Sequence, residues 1–169
     1  MTSVSTHNLT FTRTHTATYL TDLILGTISN TLAHLGIAAS RFGRDWDMNE
    51  AAINAWIAEG FLAQVVLECH RPSGVVAPVI EFPVSYTTAG AADAEFTASR
   101  ARLARFLAKL DQVPAGTTYR LFCTFTGPHT PQPGWGPATR ASTGGLRSTT
   151  FGTLGRAPDG SAGMRYLYR

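Results

Sequence analysis

The side chains best suited to catalysis or metal binding are five histidines and two cysteines, and their spacing supports neither role. His7, His15, His34, His70 and His129 are scattered. They form no HExxH, no pair at ligand spacing, and no set that the sequence alone puts beside a carboxylate. Cys69 and Cys123 sit inside strand-like runs without an activating context, so they read as buried thiols of a reducing compartment. The glycine clusters GTLG (152–155) and STGG (142–145) are too short for a phosphate loop. There is no GxxxxGK[ST], and no strand leads into GxGxxG. No catalytic residue, metal or cofactor is expected.

Charge points to a division of the chain. The formal net charge is +3 over 169 residues, yet residues 1–126 carry nine Lys and Arg against ten Asp and Glu, while 127–169 carry five Arg and one Asp. The same tail holds nine of the 16 glycines and five of the nine prolines, which weakens regular structure through entropy and missing donors. Its arginines lack the aromatic interleaving of a nucleic-acid surface, so direct nucleic-acid binding is disfavoured. No apolar run approaches the ~20 residues needed to span a bilayer, and no signal-like start is evident. A cytoplasmic protein of one domain follows as the expectation.

The elements must come from periodicity. LTFTRTHT (9–16) alternates and reads as a short extended entry. From Ala17, the positions Leu20, Leu23, Ile24, Ile28, Leu32 and Leu35 form one helical stripe, ended by Gly36. Asp47 to Glu50 reads as a capping box opening a helix with Ile53, Trp56 and Ile57 on one face and Gly60 at its end. Residues 62–70 and 77–86 read as two strands joined by a turn with Pro72 and Gly74. Pro78 and Pro83 make the second an edge strand, or must face away from its neighbour, and leave the first central. A third helix is expected from Asp93 to Leu110 on the stripe Phe96, Leu103, Phe106, Leu107 and Leu110. Arg100, Arg102, Arg105 and Lys109 lie outside or flank that stripe as a solvated face. Tyr119 to Thr126 is the third strand, with Tyr119, Leu121, Cys123 and Phe125 on one face.

Three helices over three antiparallel strands make an α+β layer, and such a sheet has two open edges that invite unwanted pairing. The tail offers cover in LRSTTFGTL (146–154) and MRYLYR (164–169), with APDG (157–160) as the turn of a hairpin.

In this order of elements the chain resembles the bacterial HORMA-domain proteins. The resemblance runs over nearly the whole length. It rests on FTRTHTATYLTDLILGTI, on RDWDMNEAAINAWIAEGFLAQVVLECHRP, on the Pro-interrupted strand ending in Tyr86, and on GWGPATRASTGGLRSTTFGTL with the aromatic, Arg-rich end. It implies residues 1–8 as a flexible N-terminus, 9–126 as the core, and 127–169 as a mobile safety belt that wraps a closure-motif peptide added to the sheet as a strand.

By the same analogy Tyr119, Arg120, Leu121, Phe122, Cys123, Thr124 and Phe125 form the receiving edge. Trp135 is either a cover for the peptide or a packing residue, and the tail hairpin covers the 77–86 edge in the closed state. Arg140 and Arg147 are candidates for pairing with acidic groups on a partner. The implied role is a peptide-sensing switch whose closed form activates a cyclic-oligonucleotide synthase, a CD-NTase nucleotidyltransferase, in CBASS anti-phage defence. A hexameric AAA+ remodelling ATPase would reset it by gripping residues 1–8. The alternatives are a non-switching scaffold and, less favoured, a nucleic-acid-binding module.

Overall fold

The computed structural model describes residues 5–87 and 95–169. Helix α1 (Ser5–Leu35) is followed by a short α2 (Ser40–Arg44) and by α3 (Trp46–Glu59). Strands β1 (Leu62–His70) and β2 (Val76–Tyr86) come next, then a two-residue β3 (Thr97–Ala98), α4 (Arg100–Leu107), β4 (Thr118–Phe125) and the hairpin β5 (Arg147–Ala157) with β6 (Gly160–Tyr168). The six strands form one antiparallel sheet in the order β3-β5-β6-β2-β1-β4. The expected α+β layer is present, and the tail hairpin docks on β2, extending the sheet on the side away from β4.

One face of the sheet carries the core. Leu20, Ile24, Ile28, Leu32 and Leu35 of α1 are fully buried there with Ile53 of α3 and with Leu62, Val65, Leu67, Ile80 and Phe82 of β1 and β2. Each such side chain contributes roughly 1.5–3 kcal/mol by leaving water. Helix α1 stops where Gly36 turns left-handed at φ 75° and Ile37 donates to the Leu32 carbonyl at 2.9 Å. Gly60 repeats the device at the end of α3, with φ 81°. Among the described residues no helix covers the opposite face; a small cluster of Val66, Val79, Phe122 and Leu167 is buried there.

Several expectations are corrected. Residues 9–16 belong to α1 and are not an extended entry, and Ser5 to Asn8 are helical too, while residues 1–4 of the expected flexible start lie outside the described residues. Alternating threonines misled because a threonine hydroxyl can donate to the carbonyl one turn back, as Thr18, Thr27 and Thr31 do. The capping box does not form: α2 runs almost directly into α3, the N-cap is Asp45 without a side-chain cap bond, and Asp47 lies inside the first turn. There it still complements the helix dipole.

Of the two readings of β2, the edge strand is the one set aside: β6 occupies its free side, where the tail hairpin was expected. Pro83 is tolerated because the ladder to β6 is interrupted between Glu81 and Val84 and Gly163, lacking a Cβ, accommodates its ring; Pro78 falls where the β1 register shifts between Glu68 and His70, just before the first β6 pair at Val79. Helix α4 begins only at Arg100; the backbone before it is taken by β5 as β3, and residues 93 and 94 of the expected helix lie outside the described residues. Phe96 therefore falls off the stripe, 47% exposed and edge-on to Tyr19.

Arg102 lies on the expected exposed face with Arg100, Arg105 and Lys109, and it also makes structural contacts. Its guanidinium lies 4.1 Å from the Phe151 ring centroid and donates to the carbonyls of Phe151 (2.8 Å) and Thr153 (3.2 Å). The β5–β6 register shifts between Thr150 and Gly152 and again between Thr153 and Gly155, so Arg102 pairs acceptors at the breaks in the ladder.

The hairpin's seat is close-packed at Gly155. A Cβ there would meet the Leu23 side chain and lie 2.6 Å from the Thr97 carbonyl oxygen, a backbone atom that cannot step aside. Gly155→Ala is expected to cost about 1–3 kcal/mol in urea unfolding, whereas Gly43→Ala, at a position with open space around it, should cost much less.

Candidate functional site

Strand β4 pairs with β1 along one side, and among the described residues its other edge has no strand partner. Because Tyr119, Leu121 and Cys123 sit opposite Cys69, Leu67 and Val65, they share the helix-bearing face. Arg120 and Phe122 sit opposite Glu68 and Val66 and share the bare face.

Residues 127–146 run from β4 to the hairpin around this edge. Gly127 lies against the Phe61 ring, at a distance that leaves no room for a Cβ. His129 stacks on Phe125 at 3.5 Å and 10°. The Trp56 indole Nε1 donates to the Thr130 carbonyl at 2.7 Å, and Glu59 accepts from the Thr130 amide at 3.2 Å. Trp135 then packs edge-on to Trp56, with centroids 5.3 Å apart, on the helix side of the sheet. Five residues later the chain is on the bare face. Arg140 reaches Glu81 at 3.1 Å and Glu68 at 3.7 Å, and the Ala141 amide donates to Glu68 at 3.0 Å. The same carboxylates hold His70 (Glu68, 3.2 Å) and Arg165 (Glu81, 3.0 Å).

A cavity of about 450 Å³ remains between this strap and the β4 edge, lined by Trp56, Leu121, Cys123, Phe125, His129 and Trp135, with Gly136, Pro137 and Ala138 across from them. A smaller one of about 120 Å³ adjoins it at the Tyr119 end, with Arg41, Asp45 and Met48 in its wall.

Of the residues expected at the site, Leu121, Phe122, Cys123, Phe125 and Trp135 meet in the larger cavity, and Tyr119 and Arg120 line the smaller one. Thr124 lines neither. Trp135 is both a packing residue and part of the wall, and its Nε1 is buried without an acceptor among the described residues. Arg140 is corrected: its partners are Glu68 and Glu81 of this chain.

Sequence reasoning missed Trp56 and His129 as site residues, and missed both glutamates. Trp56 fitted the helix stripe, and the role of His129 depends on how the chain turns after β4. Glu68 and Glu81 carried a usable signal, since each interrupts an apolar strand. Glu68 is 1% exposed, and so isolated a carboxylate demands partners. Among the described residues no cluster of His, Cys, Asp and Glu could hold a metal ion, and no helix is long and apolar enough to cross a membrane.

Burial pushes the Cys123 thiol above its ordinary range, and pushes Cys69 up to about 12. Burial also raises the Tyr119 phenol. Both thiols therefore stay protonated through pH 8 and react slowly, since the thiolate is the nucleophile.

Comparison with known proteins supplies a family. The family model described as "Bacterial HORMA domain 2" matches residues 1–169. No curated protein matches the chain. Among solved structures, a chain of the mitotic checkpoint complex superposes with TM-score 0.74 at 10% identity, covering 90% of this chain and 98% of that one. C. elegans HTP-1, in a structure with the HIM-3 closure motif, gives 0.69 at 14%, covering 90% and 89%. A chain of the E. coli MS115-1 HORMA:CdnC:Trip13 complex gives 0.59 at 11%, covering 92% and 89%. These likenesses are in fold.

The double clasp of Arg140 makes two outcomes measurable. Arg140→Ala should lower stability by about 1–3 kcal/mol, because the buried Glu68 and Glu81 lose a half-buried cation yet keep His70, the Ala141 amide and Arg165. Cys123 lies under the strap and Cys69 in the core, so in alkylation at pH 8 followed by mass spectrometry, Arg140→Ala should accelerate labelling of Cys123 and leave Cys69 slow.

Proposed function

We propose that this chain, which belongs to the bacterial HORMA domain 2 family, is a peptide-sensing adaptor whose C-terminal segment opens, receives a closure-motif peptide on β4, and refastens over it. The single observation that carries this reading is the apolar cavity between an unpaired strand edge and a strap that passes around it. A peptide in that space gains backbone hydrogen bonds along β4 while alternate side chains enter the wall of Trp56, Phe125 and Trp135, the logic of strand addition. A guest carbonyl would also supply the acceptor that Trp135 Nε1 lacks; leaving such a donor unpaired costs about 1–3 kcal/mol. The strap makes release slow, because the guest leaves only when Arg140 and Ala141 let go of Glu68 and Glu81.

In the same reading the closed form binds and activates a CD-NTase that makes a cyclic oligonucleotide in bacterial anti-phage defence, and a AAA+ ATPase resets it from the N-terminal end. The HORMA:CdnC:Trip13 assembly supports those two partners by analogy of fold. Pulling on that end would draw out α1, whose stripe is the centre of the core, so the strap's seat would be lost with it. The chain acts through binding, with no chemistry of its own. Arg140 also favours a second reading: a strap held by two buried carboxylates suits a scaffold that never opens.

Hydrogen exchange on the full chain separates the two. Full-length protein is used to select from a display library of random octapeptides, and exchange is followed across 127–146 with and without the selected peptide. A switching strap exchanges rapidly alone and slowly with peptide, and Trp135→Ala, which keeps the hairpin, should shorten peptide residence by about tenfold or more. Equal protection in both conditions supports the scaffold, and a selection with no enrichment removes peptide capture.

A further inference from the structure

We infer that the guest is an acidic peptide in a defined sense: an Asp or Glu occupies the position paired with Arg120, at odd spacing from the residues that enter the apolar cavity. This rests on the peptide-capture reading above and goes beyond it by naming a side-chain class and a register.

A strand added to β4 inherits its alternation, because directly opposed residues in neighbouring strands point to the same face. Guest residues opposite Leu121 and Cys123 therefore face Trp56 and Trp135 and must be apolar. The guest residue opposite Arg120 points to the bare face instead, one position from the first of these and three from the second, whichever way the guest runs. What it meets there is a cation. Arg120 is exposed and forms no ion pair among the described residues.

Two acids lie near Arg120: Asp45, which lines the smaller cavity with it and pairs with Arg41, and Glu68, its cross-strand partner on β1. That carboxylate is already engaged by the Ala141 amide, Arg140 and His70. Arg120 thus stands on an open edge with its own-chain acids spent. The adjacent Arg41 is different: it pairs with Asp45 at 3.6 Å, so the Tyr119 end of the helix-bearing face presents a balanced pair and asks for no particular charge. The charge preference is consequently confined to one guest position.

An exposed cation on an edge strand also deters unwanted pairing, and for that task either sign of charge serves. Charge reversal separates the two roles. Random octapeptides are selected separately on full-length wild type and on Arg120→Glu, and matched synthetic peptides carrying Glu, Gln or Lys at the position in question are titrated by fluorescence anisotropy.

Wild type is expected to enrich peptides with alternating apolar residues and an acid at odd spacing, and to bind the Glu peptide about twofold to fivefold tighter than the Gln one. Arg120→Glu should invert the order in favour of Lys. If both proteins select apolar-patterned peptides without an acid at odd spacing, or if the order survives the reversal, the acidic register is overturned while peptide capture stands. If neither selects any peptide, capture itself fails and this inference with it.

Discussion

The last core strand and the tail hairpin occupy opposite sides of the β1–β2 pair, and that separation governs the rest of the molecule. Strands in a sheet lie about 4.8 Å apart, so a chain leaving β4 to join β2 through β6 has to traverse the sheet. The helix-bearing face is filled by α1 and α3, which leaves the bare face as the route. Passing from one face to the other takes residues 136–139 around the free edge of β4, and the enclosed space beside that edge follows from the detour. Neither the cavity nor the strap would exist if β5 and β6 had simply continued the sheet from β4.

On the bare face the detour is clasped by ions. Glu68 and Glu81 sit on a face whose own apolar cluster is small, and burying two carboxylates there is costly unless cations and amides meet them. Arg165 and His70 come from the sheet itself, whereas Arg140 and Ala141 come from the strap. Buried ion pairs of this sort contribute little net stability compared with well-packed apolar residues, but they specify one arrangement. The strap therefore has a defined seat without the apolar burial that would make leaving it prohibitive. The other end of the strap is aromatic: Trp56, Phe125, His129 and Trp135 form a wall that packs in part against itself and in part faces the cavity.

The hairpin is anchored more heavily. Leu154, Ala157, Ala162 and Met164 enter the core beside α1, and Arg102 ties α4 to the bulged stretch of β5. A segment that opens thus has two very different interfaces to give up, an ionic clasp near its middle and an apolar seat at its end. The order in which they part decides whether a guest can enter before the core is disturbed.

The positions of β1, β2 and β4, the turns at Gly74 and Pro158, the helix ends at Gly36 and Gly60, and the break after Thr126 were legible in the sequence, because each is set by local chemistry: side-chain period, missing donors, or a left-handed residue. The α+β class followed from them, and the β4 edge could be named as the receiving strand through family resemblance. Side-chain pattern alone could not decide that the tail returns to β2; the family resemblance supplied that pairing. Pro78 and Pro83 allowed an edge, yet β2 is central, because a partner with matching gaps in its ladder comes from eighty residues away. Arg102 was read as part of a solvated face and Arg140 as a cation for a partner's acids; Arg102 is exposed yet holds β5 carbonyls, and Arg140 holds buried carboxylates of its own chain, on strands distant in sequence. Local pattern records what a residue can do with its own backbone; whether a charge is free or clasped depends on where the chain returns, and only the tertiary fold determines that.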